Sequence, residues 1–133
     1  MKPMSRDLQA EPSIFTRIVN REIPAHIVHE SANVIAFLDI APKAPVHVLV
    51  VPKSQSYADV VELAAGDPAL LAELVDVAHS IAGDPAVMTS ATGEKYPVGQ
   101  FRLIFNTGEA AGQTVFHVHA HLLAGNLQEG SLA

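Results

Sequence analysis

Hydrophobic and polar positions change period along the chain, and each change predicts an element. Residues 13–20 carry apolar side chains at helical spacing behind Ser13, which can cap a helix. Residues 68–82 repeat that spacing over a longer stretch, with Asp67 as the N-cap and Gly83 just beyond the last apolar residue. We therefore predict a short helix near the start of the chain and a long helix in its middle, both packed on the core.

Strand patterns account for most of the remaining apolar residues. Residues 26–40 contain two β-type segments on either side of Ser-Ala-Asn, which indicates a hairpin. Residues 46–51 are almost wholly apolar and lie between two prolines, as is typical of a strand covered on both faces. Residues 101–106 and 115–123 predict two further strands, whereas residues 84–100, interrupted by glycine and proline, predict a long exposed loop. Strands gathered around two helices without regular βαβ alternation predict an α+β fold.

Composition excludes several classes of function. The chain of 133 residues is the size of one domain, and its net charge of −6 argues against holding nucleic acid by neutralising phosphates. It has no cysteine, which fits a reducing compartment, and no apolar stretch near the ~20 residues that cross a bilayer. We expect no nucleic-acid partner, no membrane partner and a cytoplasmic location. Residues 1–12 are expected to form a flexible arm and residues 13–133 a single domain.

The segment HVHAHLL places three histidines at alternate positions, His117, His119 and His121. Because alternate residues of a strand share a face, the three rings should point one way and the interleaved apolar side chains into the core. Just before them, residues 107–114 hold two glycines, which allow successive backbone N–H groups to point at one spot as an anion nest.

Spacing alone leaves three explanations of the histidine face open. The rings could be solvated polar residues of a sheet. They could bind zinc, with His47 or Asp39 as a further ligand. They could carry out phosphoryl chemistry, because a neutral imidazole is a nucleophile near pH 7 and clustered imidazoles resist being protonated together.

The chain resembles the histidine triad (HIT) family, whose signature alternates three histidines with apolar residues as HVHAHLL does. Residues 13–30, 34–53 and 105–125 also resemble the Hint branch of that family. The resemblance implies a five-stranded antiparallel sheet with two main helices, and a homodimer in which two such sheets join. It further implies a cofactor-independent enzyme that binds purine nucleoside monophosphates and cleaves purine nucleoside 5′-phosphoramidates.

The resemblance also implies a role for each site residue. His119 would attack phosphorus and form a nucleotidyl-histidine, His121 would contact a phosphate oxygen, and His117 and His47 would support them. Asp39 would bind the ribose hydroxyls. The other implied contacts are Asn106 at the ribose phosphate, Gly112, Gln113 and Thr114 at the phosphate and leaving group, and Phe15, Ile18, Phe37 and Ile40 in a purine slot. Asp39 and Asn106 could instead be turn residues, and the apolar four could serve the core.

One departure from the family concerns zinc. Many members carry Cys-x-x-Cys, which joins histidines in a structural zinc site, where this chain has Ser13 and Thr16. Hydroxyl groups are poor zinc ligands, so we predict no structural zinc.

Two other functions are compatible with the same signature. One is a dinucleoside polyphosphate hydrolase of the same family, and the other is a nucleotide-binding regulatory protein without catalysis. Comparing turnover of diadenosine polyphosphate with turnover of phosphoramidate tests the first alternative. Tight binding of AMP with negligible turnover would indicate the second.

Overall fold

The structure, a computed structural model, describes residues 11–130. In chain order the elements of this part are helix α1 (Ile14–Val19), strands β1 (Ile27–Glu30), β2 (Val34–Leu38) and β3 (Val46–Pro52), helices α2 (Val60–Gly66) and α3 (Pro68–Ala82), and strands β4 (Arg102–Ile104) and β5 (Ala120–Ala124). A 3-10 turn at Glu109–Ala111 precedes β5. Most of the predicted arm, residues 1–10, lies outside the described residues, so the proposed domain limits stay a prediction.

The five strands form one antiparallel sheet in the order β1-β2-β3-β5-β4. The predicted α+β fold with a five-stranded antiparallel sheet is confirmed. Strand β3 is buried at every position, as its unbroken apolar sequence predicts. Its register with β5 pairs His47 with Leu123 and Leu49 with His121, which brings the two histidine-bearing strands side by side.

Alternation along β3 divides the core between the two faces of the sheet. Val48 and Val50 point to the face that α3 covers, where they pack with Leu74 and other buried residues. Leu49 and Val51 point to the opposite face and pack with α1 through two buried residues, Phe15 and Ile18. The long helix therefore supports the sheet from behind, and the short helix lies on the face that carries the histidines.

Three details differ from the sequence-based expectations. Helix α2 is absent from the sequence-based prediction, because its seven residues run directly into the Asp67 cap and are too few to show a hydrophobic period. Asp59 caps this helix by accepting the Glu62 N–H at 2.9 Å. Residues 84–100 are not wholly exposed, since Met88 is 1% exposed within the core. Strand β5 begins at Ala120 rather than at residue 115, because the Val118 N–H bonds to the carbonyl of Tyr57 instead of to a neighbouring strand.

Among the described residues, the helices are all too short or too polar to cross a membrane.

Candidate active site

The sheet register gathers four histidine rings on one face. His47 Nε2 lies 2.9 Å from His121 Nδ1, and the rings of His119 and His121 are 5.2 Å apart. The residues that alternate with the triad histidines are buried on the other face: Val118, Ala120 and Leu122. The predicted alternation is therefore confirmed, although His117 and His119 precede the hydrogen-bonded part of the strand.

Backbone groups fix the protonation of His47 and His121. The Lys43 backbone N–H donates to His47 Nδ1 at 3.0 Å, so the neutral His47 ring carries its proton on Nε2. That proton points at His121 Nδ1, which must accept it. His121 consequently carries its own proton on Nε2, where it can donate to a ligand.

A second pair of contacts fixes His117 and His119 in the same way. A carbonyl oxygen can only accept, so His117 Nε2 donates to the Pro52 carbonyl at 2.7 Å, and His119 Nδ1 donates to the His117 carbonyl at 2.9 Å. His119 Nε2 therefore holds a lone pair, and no other residue in the range 11–130 bonds to it. An unpartnered basic nitrogen on an oriented ring is what a nucleophile requires.

Burial keeps the rings of His47, His119 and His121 uncharged. Burial is the largest effect and lowers the pKa of His119; the hydrogen bond to the His117 carbonyl opposes it, the neighbouring His121 lowers the pKa further, and Asp39 has the smallest effect, in the opposing direction. Burial is also the main cause of the lowered pKa of His121 and of His47, and Lys43 adds to it at His47. At pH 7 His119 Nε2 is therefore free of a proton and able to attack an electrophile.

The metal interpretation meets an obstacle in the same hydrogen bonds. Within residues 11–130, Asp39, His47 and His121 are grouped with ligand atoms within 4.8 Å of one another. A metal-binding histidine normally donates its second ring N–H to an acceptor. Here a backbone N–H points into His47 Nδ1, so the lone pair that a metal would need at Nε2 is occupied by a proton. The geometry favours a chain of hydrogen bonds, from the Lys43 N–H to His47 and from His47 to His121, over a metal centre.

A cavity of about 200 Å³ opens beside His121 and His47 and is also lined by Asp39, Asn106 and Lys43. Asp39 has two roles, because Oδ1 accepts the Ala41 N–H at 2.8 Å to shape the turn while Oδ2 lies 3.5 Å from His47 Nε2. The turn alternative and the binding role are therefore compatible. Lys43 is not among the residues predicted for the site. It lies here because its backbone N–H bonds to His47, four residues further along the chain, and so closes a tight loop.

An apolar surface borders the triad on the α1 side. The Phe15 ring lies 4.9 Å from the His119 ring, 5.5 Å from His117 and 5.7 Å from Phe37. Ile18 is buried in the same cluster, so these residues belong to the core and border the site at once. Ile40 does not join them, because its side chain is 96% exposed.

The glycine loop before the triad is closed on itself. The Gln113 side chain donates to the carbonyls of Ala58 at 2.6 Å and Val115 at 3.1 Å and accepts the Gly108 N–H at 2.9 Å. The backbone N–H groups of Gly112 and Gln113 also bond within the loop. Gly112 has φ 97°, in the left-handed region that favours glycine. Gln113 thus holds the loop in shape. The backbone N–H groups that would form the predicted nest near Gly112 are engaged by carbonyls of the same loop. Thr114 is exposed.

Comparison with known proteins agrees with this fold and shows the family. Residues 20–127 match the profile of the HIT domain, and the chain belongs to the HIT family. It is 45% identical over 116 residues to an uncharacterised HIT-like protein from Synechococcus elongatus, spanning 87% of this chain and 92% of that one. It is 37% identical over 116 residues to the purine nucleoside phosphoramidase of Escherichia coli, spanning 87% and 89%. A HIT family hydrolase from Clostridium thermocellum has a similar structure, with a TM-score of 0.75, 40% identity and coverage of 93% and 98%.

Proposed function

We propose that this protein hydrolyses purine nucleoside 5′-phosphoramidates through a covalent nucleotide on His119. The observation that carries the proposal is the protonation pattern imposed by the backbone, which leaves a lone pair on His119 Nε2 and a proton on His121 Nε2. A nucleophile beside a hydrogen-bond donor suits attack on a phosphoryl group. The similarity to an enzyme named purine nucleoside phosphoramidase supports this choice of substrate.

The reaction proceeds in two displacements at phosphorus. His119 Nε2 forms a bond to the α-phosphorus while the P–N bond breaks, and the departing amine keeps the bonding electrons and takes a proton from solvent. Water then attacks the same phosphorus, the P–Nε2 bond breaks, and the nucleoside monophosphate leaves as the water proton returns to solvent. His119 regains its lone pair, with Nδ1–H still bonded to the His117 carbonyl.

His121 and His47 serve the phosphate oxygens in this scheme. His121 Nε2–H donates to an oxygen whose negative charge grows during attack, and His47 keeps that proton in place by donating to His121 Nδ1. Such preoriented donors contribute to phosphoryl transfer mainly through positioning and electrostatics.

The remaining residues bind the nucleotide. Asp39 Oδ2 accepts the ribose hydroxyls and Asn106 contacts the ribose phosphate, since both line the cavity beside His121. The base lies against Phe15, with Ile18 and Phe37 behind it. Thr114 contacts the phosphate and leaving group, and Ile40 contacts the base from the exposed turn after β2, while Gln113 and Gly112 shape the loop that carries Thr114.

A substrate comparison tests the proposal. Purified protein is assayed with adenosine and guanosine phosphoramidates and with diadenosine polyphosphates, beside the variant His119→Ala. Turnover of a phosphoramidate that is lost in His119→Ala supports the proposal. Full turnover by His119→Ala refutes the nucleophile, and tight monophosphate binding with no turnover of any substrate assigns the chain to the regulatory class.

Lys43 favours the dinucleoside polyphosphate alternative. Its positive charge lies in the wall of the cavity beside His121, where it could take an additional phosphate. Faster turnover of diadenosine polyphosphate than of phosphoramidate would select this function, through the same His119 chemistry.

We also propose a homodimer, in line with the family resemblance. In the described sheet β4 is an edge strand, and it is three residues long. Sedimentation velocity at low protein concentration tests the assembly: a species of twice the chain mass of 14.1 kDa is expected, and a monomer at assay concentrations contradicts it.

A further inference from the structure

A group of polar side chains lies behind the triad, where α1 meets the end of β3. We call Ser13, Thr16, Gln55 and His117 the polar cluster. Ser13 Oγ lies 2.6 Å from His117 Nδ1, and Gln55 Oε1 accepts from the Ser13 N–H at 2.9 Å and from Thr16 Oγ1 at 2.6 Å. Gln55 and His117 are 5% and 0% exposed, so water cannot replace these partners.

The direction of each hydrogen bond in the polar cluster follows from its neighbours. His117 Nε2 gives its proton to the Pro52 carbonyl, so Nδ1 must accept, and the single Ser13 hydroxyl proton goes to it at 2.6 Å rather than to Thr16 Oγ1 at 3.2 Å. The Thr16 hydroxyl gives its proton to Gln55 Oε1, and the Gln55 amide nitrogen donates to the Glu11 carbonyl at 3.1 Å. The polar cluster thus joins α1, the end of β3 and the start of the triad through buried, directional bonds.

These residues do not fit the structural zinc that many family members carry at Ser13 and Thr16. Zinc takes thiolate, neutral imidazole or carboxylate ligands. The polar cluster offers two hydroxyls, an amide and one imidazole, and the available imidazole lone pair already accepts the Ser13 proton. Within residues 11–130, the polar cluster would give a metal one usable ligand, the His117 imidazole, and that ligand is engaged.

We propose that the polar cluster does the work of a structural metal, fixing α1 against the triad, and that Ser13 and Gln55 are positioning residues for His119. The claim that they position a nucleophile rests on the proposed function. The claim that hydrogen bonds rather than a metal hold His117 does not, and it can be tested on the resting protein.

Two routes connect the polar cluster to His119. One runs through the backbone, because the His117 carbonyl that accepts the His119 Nδ1–H belongs to the residue held by Ser13. The other runs through α1, because Phe15 lies between Ser13 and Thr16 in the chain and its ring contacts His117 and His119. Displacement of α1 therefore disturbs both the orientation of the nucleophile and the apolar surface proposed for the base.

The first experiment measures metal content and ring protonation without substrate. Protein purified without chelator is analysed for zinc, and ¹⁵N NMR of the histidine rings identifies the protonated nitrogen of each. We expect no stoichiometric zinc, an unchanged Tm in chelator, and a proton on His117 Nε2 with hydrogen-bonded Nδ1. One zinc per chain that is lost together with folding in chelator, or a proton on His117 Nδ1, overturns the proposal.

The second experiment separates positioning from stability. Ser13→Ala removes the donor to His117 and the N-cap of α1. The control Asp67→Ala removes only a cap, because the Asp67 side chain accepts the Leu70 N–H at 3.1 Å at the start of α3. Ser13→Gly serves as a second variant without the hydroxyl, because glycine is tolerated at an N-cap. Ser13→Thr restores the hydroxyl.

We expect Ser13→Ala and Asp67→Ala both to lower Tm. We expect kcat to fall by about 10- to 100-fold in Ser13→Ala and Ser13→Gly but not in Asp67→Ala, because small displacements of reacting groups slow a reaction by such factors. Ser13→Thr should recover most of that loss, and the His117 Nδ1 resonance should move in the hydroxyl-free variants. Equal kcat in Ser13→Gly and Asp67→Ala overturns the positioning role. If no variant or wild-type protein turns over any nucleotide, the proposed function has failed, while the NMR result still decides how His117 is held.

Discussion

The hydrogen bond from His47 to His121 can be removed without disturbing the rest of the site. Asparagine at position 47 places an oxygen near the position of His47 Nδ1, so His47→Asn keeps the acceptor for the Lys43 N–H and removes the donor to His121. Glutamine reaches the position of Nε2, so His47→Gln keeps a donor to His121 and removes the acceptor for Lys43. The two variants therefore separate the hydrogen bond from His47 to His121 from the hydrogen bond that the Lys43 N–H donates to His47.

The size of the effect follows from the burial and the charge involved. His47 is 5% exposed and its Nε2 lies 2.9 Å from His121 Nδ1, so solvent substitutes poorly for the lost donor. A hydrogen bond whose partner carries growing charge contributes about 1.5–3 kcal/mol, and each 1.36 kcal/mol is a factor of about ten in rate. We expect His47→Asn to lower kcat/KM by about 10- to 100-fold and His47→Gln to lower it by less than about tenfold.

Steady-state kinetics on an adenosine phosphoramidate measures both variants, and ¹⁵N NMR reports whether His121 keeps its proton on Nε2. Wild-type kcat/KM in His47→Asn, or a larger loss in His47→Gln than in His47→Asn, would refute the relay from His47 to His121.

Four further predictions concern pH, charge and packing. Because burial holds the pKa of His47, His119 and His121 below the usual value of about 6.5, kcat/KM should stay level as the pH falls through 6.5 and decline only in more acidic solution; a midpoint at or above 6.5 contradicts this. In the same acidic range the unfolded chain binds protons before the folded one does, so the free energy of unfolding, measured with urea, should decrease as the pH drops from 6.5 towards the lowered pKa values and should not increase. Lys43→Gln should raise KM for an anionic nucleotide by up to about fivefold at low salt and by less at high salt, as an exposed charge does, and a salt-independent change would exclude an electrostatic role. Phe15→Ala should lower the free energy of unfolding by about 3–5 kcal/mol and raise KM, whereas the control Val61→Ala, at a side chain that is 64% exposed, should do neither.

The sequence predicted those parts of the fold that depend on local chemistry. Helix α3 has a readable start in Asp67 and Pro68 and an end at Gly83, and β3 has an unbroken apolar run between prolines, so both are found within a residue or two. Helix α2 was missed because seven residues show no period. The later start of β5 depends on the tertiary bond from Val118 to Tyr57, which the local pattern does not contain.

The candidate site divides in the same way. The period of two in HVHAHLL correctly placed the three rings on one face, and the resemblance chose among the explanations that spacing left open. The protonation of each ring was not predictable, because it depends on backbone atoms that the fold brings to it, such as the Lys43 N–H and the Pro52 carbonyl. Ser13 bonds to His117 across 104 positions, a partnership that only the packing of α1 on the sheet creates.

The covalent step at His119 can be observed directly. Protein mixed with an adenosine phosphoramidate and quenched in the first turnover is digested under conditions that preserve P–N bonds, and the peptide that contains residues 117–123 is sequenced by mass spectrometry. An adenylyl group on His119, absent from His119→Ala and lost at the rate of turnover, is the predicted result. Continued turnover with no adduct, or an adduct on His121 in place of His119, would contradict it.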